Sequence, residues 1–339
     1  MPSKPKPKVA FYWCASCGGC EEAIIDLEFD LLKVVEAVEI VFWPCAMDFK
    51  TEAVRKMEDG EIAIAFINGA VRTSEQLEMC ELLRRKAQII IAFGACAQVG
   101  GIPGLANFWD KETIFRSSYL DKCPSTDNPG KVVPLPKSKV PEGELELPVF
   151  FNTVKTLDDV IDVDYYLPGC SPAPYLTLNA INTLLSGDLP PKGSVLAPNK
   201  ALCETCTRND SKPENLSLEK IYRVSQIEVD PEKCLLAQGI ICMGPVTRSG
   251  CTPEGEGRCV LANMPCRGCY GPTPEVRDVG AKMIAALASL VGLEGEEEMT
   301  EEQVTKLMDS IVDPGGTFYR FTLAKSLLKR RRMPSEPQE

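Results

Sequence analysis

The chain has 0 histidines in 339 residues. Without imidazole it can offer neither a Cys–His dyad nor a zinc-hydrolase triad, and most routine acid–base catalysis near neutral pH is excluded too. Long apolar runs are also missing, and no stretch is long enough to span a bilayer. The positively charged start, Met1 to Lys8, leads into a strand and then Cys and Glu. It has no continuous apolar segment or small-residue cleavage site of a secretory leader. Acidic residues outnumber basic ones, 48 to 37, and the formal net charge of -11 argues against nucleic acid or an anionic membrane as partner. These absences predict a soluble cytoplasmic protein with no nucleic-acid partner and no membrane span.

What the chain has instead is 16 cysteines. Disulfides explain such a number poorly in a cytosolic chain of this size. Thiolate-rich metal sites remain, either four-cysteine zinc or iron–sulfur clusters. The chain is organised around Phe11 to Ala23, where an apolar run beginning at Val9 stops at Cys17-Gly18-Gly19-Cys20. The two glycines let the backbone fold tightly around a bound metal. A helical pattern follows at once, with Ile24, Ile25, Leu27, Leu31, Leu32 and Val35 roughly on one face.

Further strands are predicted at Val38–Trp43, Ile62–Ile67, Ile89–Phe93 and Val163–Leu167, and a helix opens at Thr73-Ser74-Glu75-Gln76. Short apolar strands alternating with helices predict an α/β fold with a doubly wound parallel sheet over residues 1–190. Cys17, Cys20, Cys96 and Cys170 all fall just past predicted strand ends. In open α/β sheets ligands bind along that edge, so three distant loops would deliver four thiolates there. Between Pro103 and Leu147 the chain is loop-rich but anchored by Phe108, Trp109, Phe115, Tyr119 and Leu120. A partner-facing surface and a self-packed insertion both fit this excursion.

Composition shifts near Leu189-Pro190-Pro191-Lys192, which places a loop-rich domain with a few helices over 191–339. Its cysteines run Cys203-x2-Cys206, Cys234-x7-Cys242, Cys251-x7-Cys259 and Cys266-x2-Cys269, enough for two further four-thiolate sites. Turn formers fill the intervening sequence, so the segment is expected to bury little and to be held by its metals. Spacing alone leaves zinc open. The ferredoxin run C-x2-C-x2-C-x3-C-P is absent. Beyond Pro274 a helix carries Val276 to Leu290 and ends at Gly292, and a second is expected near Glu301 to Ile311. The basic Lys329 to Arg332 reads as a solvated end or a partner contact.

Taken together, these motifs resemble the small subunit of cytoplasmic nickel–iron hydrogenases, closest to the methyl-viologen-reducing type associated with heterodisulfide reductase. The matching pieces are Cys17-Gly18-Gly19-Cys20, Gly94-Ala95-Cys96 with Gly100-Gly101-Ile102-Pro103-Gly104, and Leu167-Pro168-Gly169-Cys170-Ser171-Pro172. Later come the four cysteine pairs, Met264 to Pro272 around the last of them, and Asp313-Pro314 to Phe321. The resemblance implies a flavodoxin-like first domain with a proximal 4Fe-4S cluster on Cys17, Cys20, Cys96 and Cys170. It implies a medial cluster on Cys251, Cys259, Cys266 and Cys269 and a distal one on Cys203, Cys206, Cys234 and Cys242. Many relatives place histidine where Cys203 stands, and some lack one medial cysteine; here both Cys203 and Cys259 are present, so three all-cysteine clusters are expected.

On this resemblance the chain is an electron-transfer subunit, and the catalytic nickel–iron site lies on a separate large subunit. Its partners would be that subunit, a small iron–sulfur adaptor and a heterodisulfide reductase-like flavoprotein complex. Two alternatives stay open: a relay beside a large-subunit homologue that lacks nickel and does not use dihydrogen, and a zinc-stabilised scaffold. A complex I-type subunit fits less well, because that relative uses adjacent cysteines and one cluster. Cys14, Cys45, Cys80 and Cys123 fall outside the motifs. Glu21, in the first turn after the proximal motif, is open to two roles: proton relay or helix-dipole partner.

Overall fold

Strands form where β-branched and aromatic residues run unbroken, and the first half holds most of them. The computed structural model describes residues 5–121, 127–290 and 300–328. Its strands are β1 (Lys8–Trp13), β2 (Glu39–Phe42), β3 (Ile62–Asn68), β4 (Val71–Thr73), β5 (Ala87–Phe93), β6 (Lys137–Val140), β7 (Gly143–Glu146), β8 (Phe150–Lys155) and β9 (Tyr165–Leu167). Five of them make a parallel sheet in the order β2-β1-β3-β5-β9. This is the flavodoxin-like doubly wound order, in which the connection reverses direction between β1 and β3.

Side-chain alternation sends each strand to two cores. Phe11, Phe66, Ile91, Phe93 and Leu167 face one side, where α1 (Gly19–Ile25), α2 (Phe29–Ala37) and, later, the helix after Cys170 cover them. Phe11 stacks on Phe66 at 5.1 Å between ring centroids. Ala10, Ala65, Ile67, Ile90 and Ala92 face the other side, under α3 (Thr51–Lys56) and α4 (Ser74–Lys86). The start of α4 is where the sequence placed it: Thr73 caps it, with its hydroxyl 3.4 Å from the Gln76 amide and the Gln76 side chain returning to the Thr73 amide.

The single helix expected after Cys20 is two. The chain turns at Glu28, whose φ is 51°, and α2 leaves at a new angle. Ile24 and Leu27 stay buried, while Ile25 (53%), Leu32 (62%) and Val35 (45%) are exposed. Sequence periodicity across a break cannot see the change of axis. The Pro103–Leu147 excursion is divided between its two readings. Helix α5 (Ala95–Val99) leads to a turn over Ile102–Phe108, and α6 (Lys111–Phe115) follows. Phe115 packs on Phe150 at 5.1 Å and on Tyr119 at 6.0 Å, whereas Trp109, Leu120 and the β6–β7 hairpin face solvent. Strand β8 returns antiparallel to β4, a pairing that the sequence did not signal.

Helix α7 (Pro174–Ser186) ends the first half. The second has α8 (Leu202–Thr205), α9 (Arg258–Leu261), α10 (Val279–Leu290), α11 (Glu301–Asp309) and α12 (Pro314–Phe318), joined by turns. It buries more than its turn-rich sequence suggested: Leu202, Leu236, Met243, Met283, Leu287, Phe318 and Leu323 form a third core. Apolar helices following the cysteine-rich segment close over it. Asp313 caps α12, its carboxylate accepting from the Gly316 amide at 3.0 Å. Val276 precedes α10 rather than lying in it. Gly292, Cys123 and Lys329–Arg332 lie outside the described residues. Among those described, no helix is long and apolar enough to cross a membrane.

Asp164 fastens the sheet edge beneath β9. Its carboxylate accepts from Lys192 Nζ at 2.6 Å, Arg84 Nη1 at 2.7 Å and the Ile90 amide at 2.9 Å. Burial alone would push this carboxyl up, but Lys192, Arg84 and the amide outweigh it and hold it below its ordinary 3.8. A depressed carboxyl contributes stability that is complete above its unfolded value and lost as pH falls through the folded one. The urea midpoint should therefore drop below about pH 4, and Asp164→Asn should flatten that acid limb while lowering the neutral-pH midpoint.

Candidate metal centres

Three loops at the carboxyl edge of the sheet bring the first four cysteines together. Cys17 and Cys20 follow β1 at the start of α1, Cys96 sits in α5 after β5, and Cys170 follows β9. Backbone bonds tie the loops: the Gly94 amide donates to Leu167 O at 2.8 Å and the Ala95 amide to Gly169 O at 2.7 Å. The four sulfurs lie within mutual electrostatic reach. Burial first, then Cys96, Cys170 and Cys17, push the Cys20 thiol well up. Cys96 is pushed up to about 12 by burial and by Cys170 and Cys17.

Glycine is required where these sulfurs pass the backbone. At Gly94, with φ 86°, an added Cβ would lie 2.4 Å from Cys20 Sγ; at Gly101, with φ 56°, it would lie 2.4 Å from Cys96 Sγ. The Gly19 amide donates to Cys17 Sγ at 3.5 Å. Cys20 and Cys96 are buried and Cys17 and Cys170 exposed, so the quartet opens on one side.

Cys203, Cys206, Cys234 and Cys242 line a cavity of about 300 Å³ together with Lys212, Leu216 and Leu290. Cys203 is pushed up to about 12 by burial, then by Cys242, Cys234 and Cys206, with Lys212 opposing. Gly244 faces this quartet, since a Cβ there would meet Cys203 Sγ at 3.1 Å and Cys242 Sγ at 3.6 Å. In the remaining set, burial, Cys259 and Cys251 push Cys269 up to about 12. Burial raises Cys259 with help from Cys251, and it raises Cys266 with help from Cys242 and Cys269. The Arg258 amide donates to Cys251 Sγ at 3.4 Å.

The third quartet lies between the other two. Cys170 adds to the upward push on Cys269, and its backbone amide pulls the other way, so these two residues are neighbours. On the far side, the Cys266 amide donates to Cys242 Sγ at 3.3 Å. Tyr residues lock the first junction: the Ala173 amide donates to Tyr270 Oη at 3.0 Å, and Tyr175 Oη lies 2.6 Å from Gly250 O.

The donor sets fit polynuclear iron–sulfur groups. Each offers four sulfurs and backbone N–H groups aimed at sulfur, and in the first two sets glycine takes the positions where a Cβ would intrude. Among the described residues, no three Cys, Asp or Glu side chains gather as a single metal ion requires.

The sequence had no signal for Asn68 and Trp43. Both donate to the carboxylate of Glu21, from Asn68 Nδ2 and Trp43 Nε1. Glu21 is buried, and burial raises its carboxyl against the lowering by Trp43 and Asn68. It ties the start of α1 to the ends of β2 and β3, more than a solvated helix-dipole partner would do. Cys45 is exposed, while Cys14 and Cys80 are buried together on the opposite face of the sheet from Cys20.

Relatives align over nearly the whole chain. The iron–sulfur subunit of the F420-non-reducing hydrogenase from Archaeoglobus profundus is 38% identical over 329 residues, covering 96% of this chain and 98% of its own. An F420-non-reducing hydrogenase subunit from Methanothermobacter marburgensis is 37% identical over 324 residues, 95% of this chain and 96% of its own. The chain belongs to the family of F420-non-reducing hydrogenase iron–sulfur subunits. The small-subunit resemblance thus holds. The family described as NADH ubiquinone oxidoreductase, 20 Kd subunit, matches residues 17–184 of this hydrogenase subunit, from Cys17 past Cys170. A solved chain of NAD+-reducing [NiFe]-hydrogenase in the H2-reduced state is 32% identical, covers 54% of this chain and 92% of that chain, and has a TM-score of 0.46.

Gly94→Ala should destabilise the chain by about 2–4 kcal/mol through left-handed strain and the sulfur clash. Gly187 shares a positive φ of 77° but has nothing within 4 Å of its added Cβ, so Gly187→Ala should cost only about 1 kcal/mol. Urea denaturation of the two variants side by side checks the difference.

Proposed function

We propose that the chain is the electron-transfer subunit of a cytoplasmic hydrogenase-type complex and holds three 4Fe-4S clusters. Residues 1–190 would carry the proximal cluster on Cys17, Cys20, Cys96 and Cys170. Residues 191–339 would carry the medial cluster on Cys251, Cys259, Cys266 and Cys269 and the distal one on Cys203, Cys206, Cys234 and Cys242. The observation that carries this reading is the serial order of the quartets, with Cys170 beside Cys269 and the Cys266 amide on Cys242. Bound clusters of this type supply one-electron redox chemistry at potentials set by ligands, hydrogen bonds and burial.

The protein's own residues define the rest of the mechanism. Twelve thiols provide outer ligands, the Gly19, Arg258 and Cys266 amides donate to sulfur, and Cys20, Cys96 and Cys266 are buried away from water. The open side at Cys17 and Cys170, flanked by exposed Trp13, supports docking of a hydrogenase-type large subunit there. The cavity-lined distal quartet supports exchange with an iron–sulfur or flavin partner, such as a small adaptor and a heterodisulfide reductase-like complex. The names of the F420-non-reducing hydrogenase relatives support a hydrogenase setting. So does that of the NAD-reducing hydrogenase subunit delta from Cupriavidus necator, 29% identical over 188 residues.

Metal analysis of the anaerobically purified complex, with low-temperature EPR after dithionite reduction, tests this. About twelve irons per chain, interacting reduced cubane signals and nickel on a partner chain are expected. Zinc without iron would overturn the cluster assignment. Iron without nickel would move the chain to a relay in a complex that does not use dihydrogen.

A further inference from the structure

The cysteines outside the quartets include one close pair. Cys14 directly follows β1 and Cys80 lies in α4, and their sulfurs are 3.6 Å apart. Both are buried, Cys14 at 5% exposure and Cys80 at 0%, within the core beneath α4 that includes Ala65, Ile67 and Ile90. Cys20 lies in the core on the other face of the sheet, so this pair is separated from the proximal quartet by the sheet itself. The backbone at Cys14 is fixed on the sheet: its amide donates to Asn68 O at 2.8 Å, and Ala15 exchanges bonds with Ala70 at 2.9 and 3.0 Å. Three residues later comes Cys17.

We propose that Cys14 and Cys80 are a redox-active dithiol that a peroxide closes into a disulfide, cross-linking the root of the Cys17–Cys20 loop to α4. In the first step one thiol attacks hydrogen peroxide, giving a sulfenic acid and one water. In the second the neighbouring thiol displaces the sulfenic hydroxyl, forming the S–S bond and releasing a second water. The two sulfurs give up two electrons in all, and the peroxide takes them.

Burial decides which product forms. It holds Cys14 in its protonated form, so the pair reacts more slowly than exposed Cys45. It also keeps a second peroxide away. A sulfenic acid there meets a thiol at contact distance before it meets more oxidant, and condensation wins over the climb to sulfinic acid. The bond would span 66 residues and hold the loop from the face away from the quartet.

The test uses the anaerobically purified complex, treated with a few equivalents of hydrogen peroxide and quenched in acid. Free thiols are alkylated under denaturing conditions and the peptides mapped without reductant. The expected result is a Cys14–Cys80 linked peptide in most molecules, lighter than its two thiol peptides by two hydrogens and released by dithiothreitol. In Cys80→Ala the link should vanish and Cys14 should gain one or two oxygens instead. Full alkylation of Cys14 and Cys80 beside an oxidised Cys45 would overturn the proposal. So would a Cys14 linked mainly to Cys17 or Cys20, which would mean a collapsed loop and not a built pair.

Discussion

Crowding sulfur into a low-dielectric interior opposes its own charged form. Burial and neighbouring thiols push Cys20, Cys96, Cys203, Cys266 and Cys269 upward together, and positive charge or donated amide hydrogens brought among them oppose that. The surrounding architecture answers this constraint. Loops at one edge of the parallel sheet hold the first four sulfurs in place, amides point at sulfur in all three sets, and glycines clear the path in two. Lysine and arginine contribute at single points, Lys212 opposing the rise at Cys203 and Arg267 that at Cys259. A chain with no histidine must meet the demand with backbone dipoles and whatever the thiolates bind.

Much of this was legible in the sequence because it rests on local signals. Apolar runs ending in Gly or Cys gave the strands of the sheet, and Thr73 with Gln76 marked the start of α4 to the residue. The strand ends at Cys17, Cys20, Cys96 and Cys170 marked the sheet edge where the first four sulfurs meet. What escaped depended on contacts distant in sequence. The turn at Glu28 divided an apolar stripe between core and solvent. The β4–β8 pairing, and the Glu21 contacts to Asn68 and Trp43, join positions that no periodicity relates. The third core was also hidden, since its apolar residues lie scattered among turns, and α10 and α12 close over them only in three dimensions.

The two halves are joined where their sulfur sites approach. Tyr270 reaches from the second half into the first core, and its hydroxyl receives the Ala173 amide just beyond Cys170. Tyr175 reaches back to the carbonyls at Gly250 and Thr252. Phenol groups suit this place, since each buries an aromatic body while satisfying a backbone group at its tip. Relative movement of the halves would break these bonds and the contact between Cys170 and Cys269 at once.

One close seat near the first quartet is supplied from the far end of the described chain. A Cβ at Gly100 would lie 2.4 Å from Ala324 Cβ, and one at Gly104 would lie 3.3 Å from the same atom. Ala324 therefore forms the floor of the loop that leaves Cys96. During synthesis the ribosome releases Cys17, Cys20, Cys96 and Cys170 long before it releases residue 324. The four sulfurs can emerge and meet early, but the wall behind them is finished only once residue 324 has emerged.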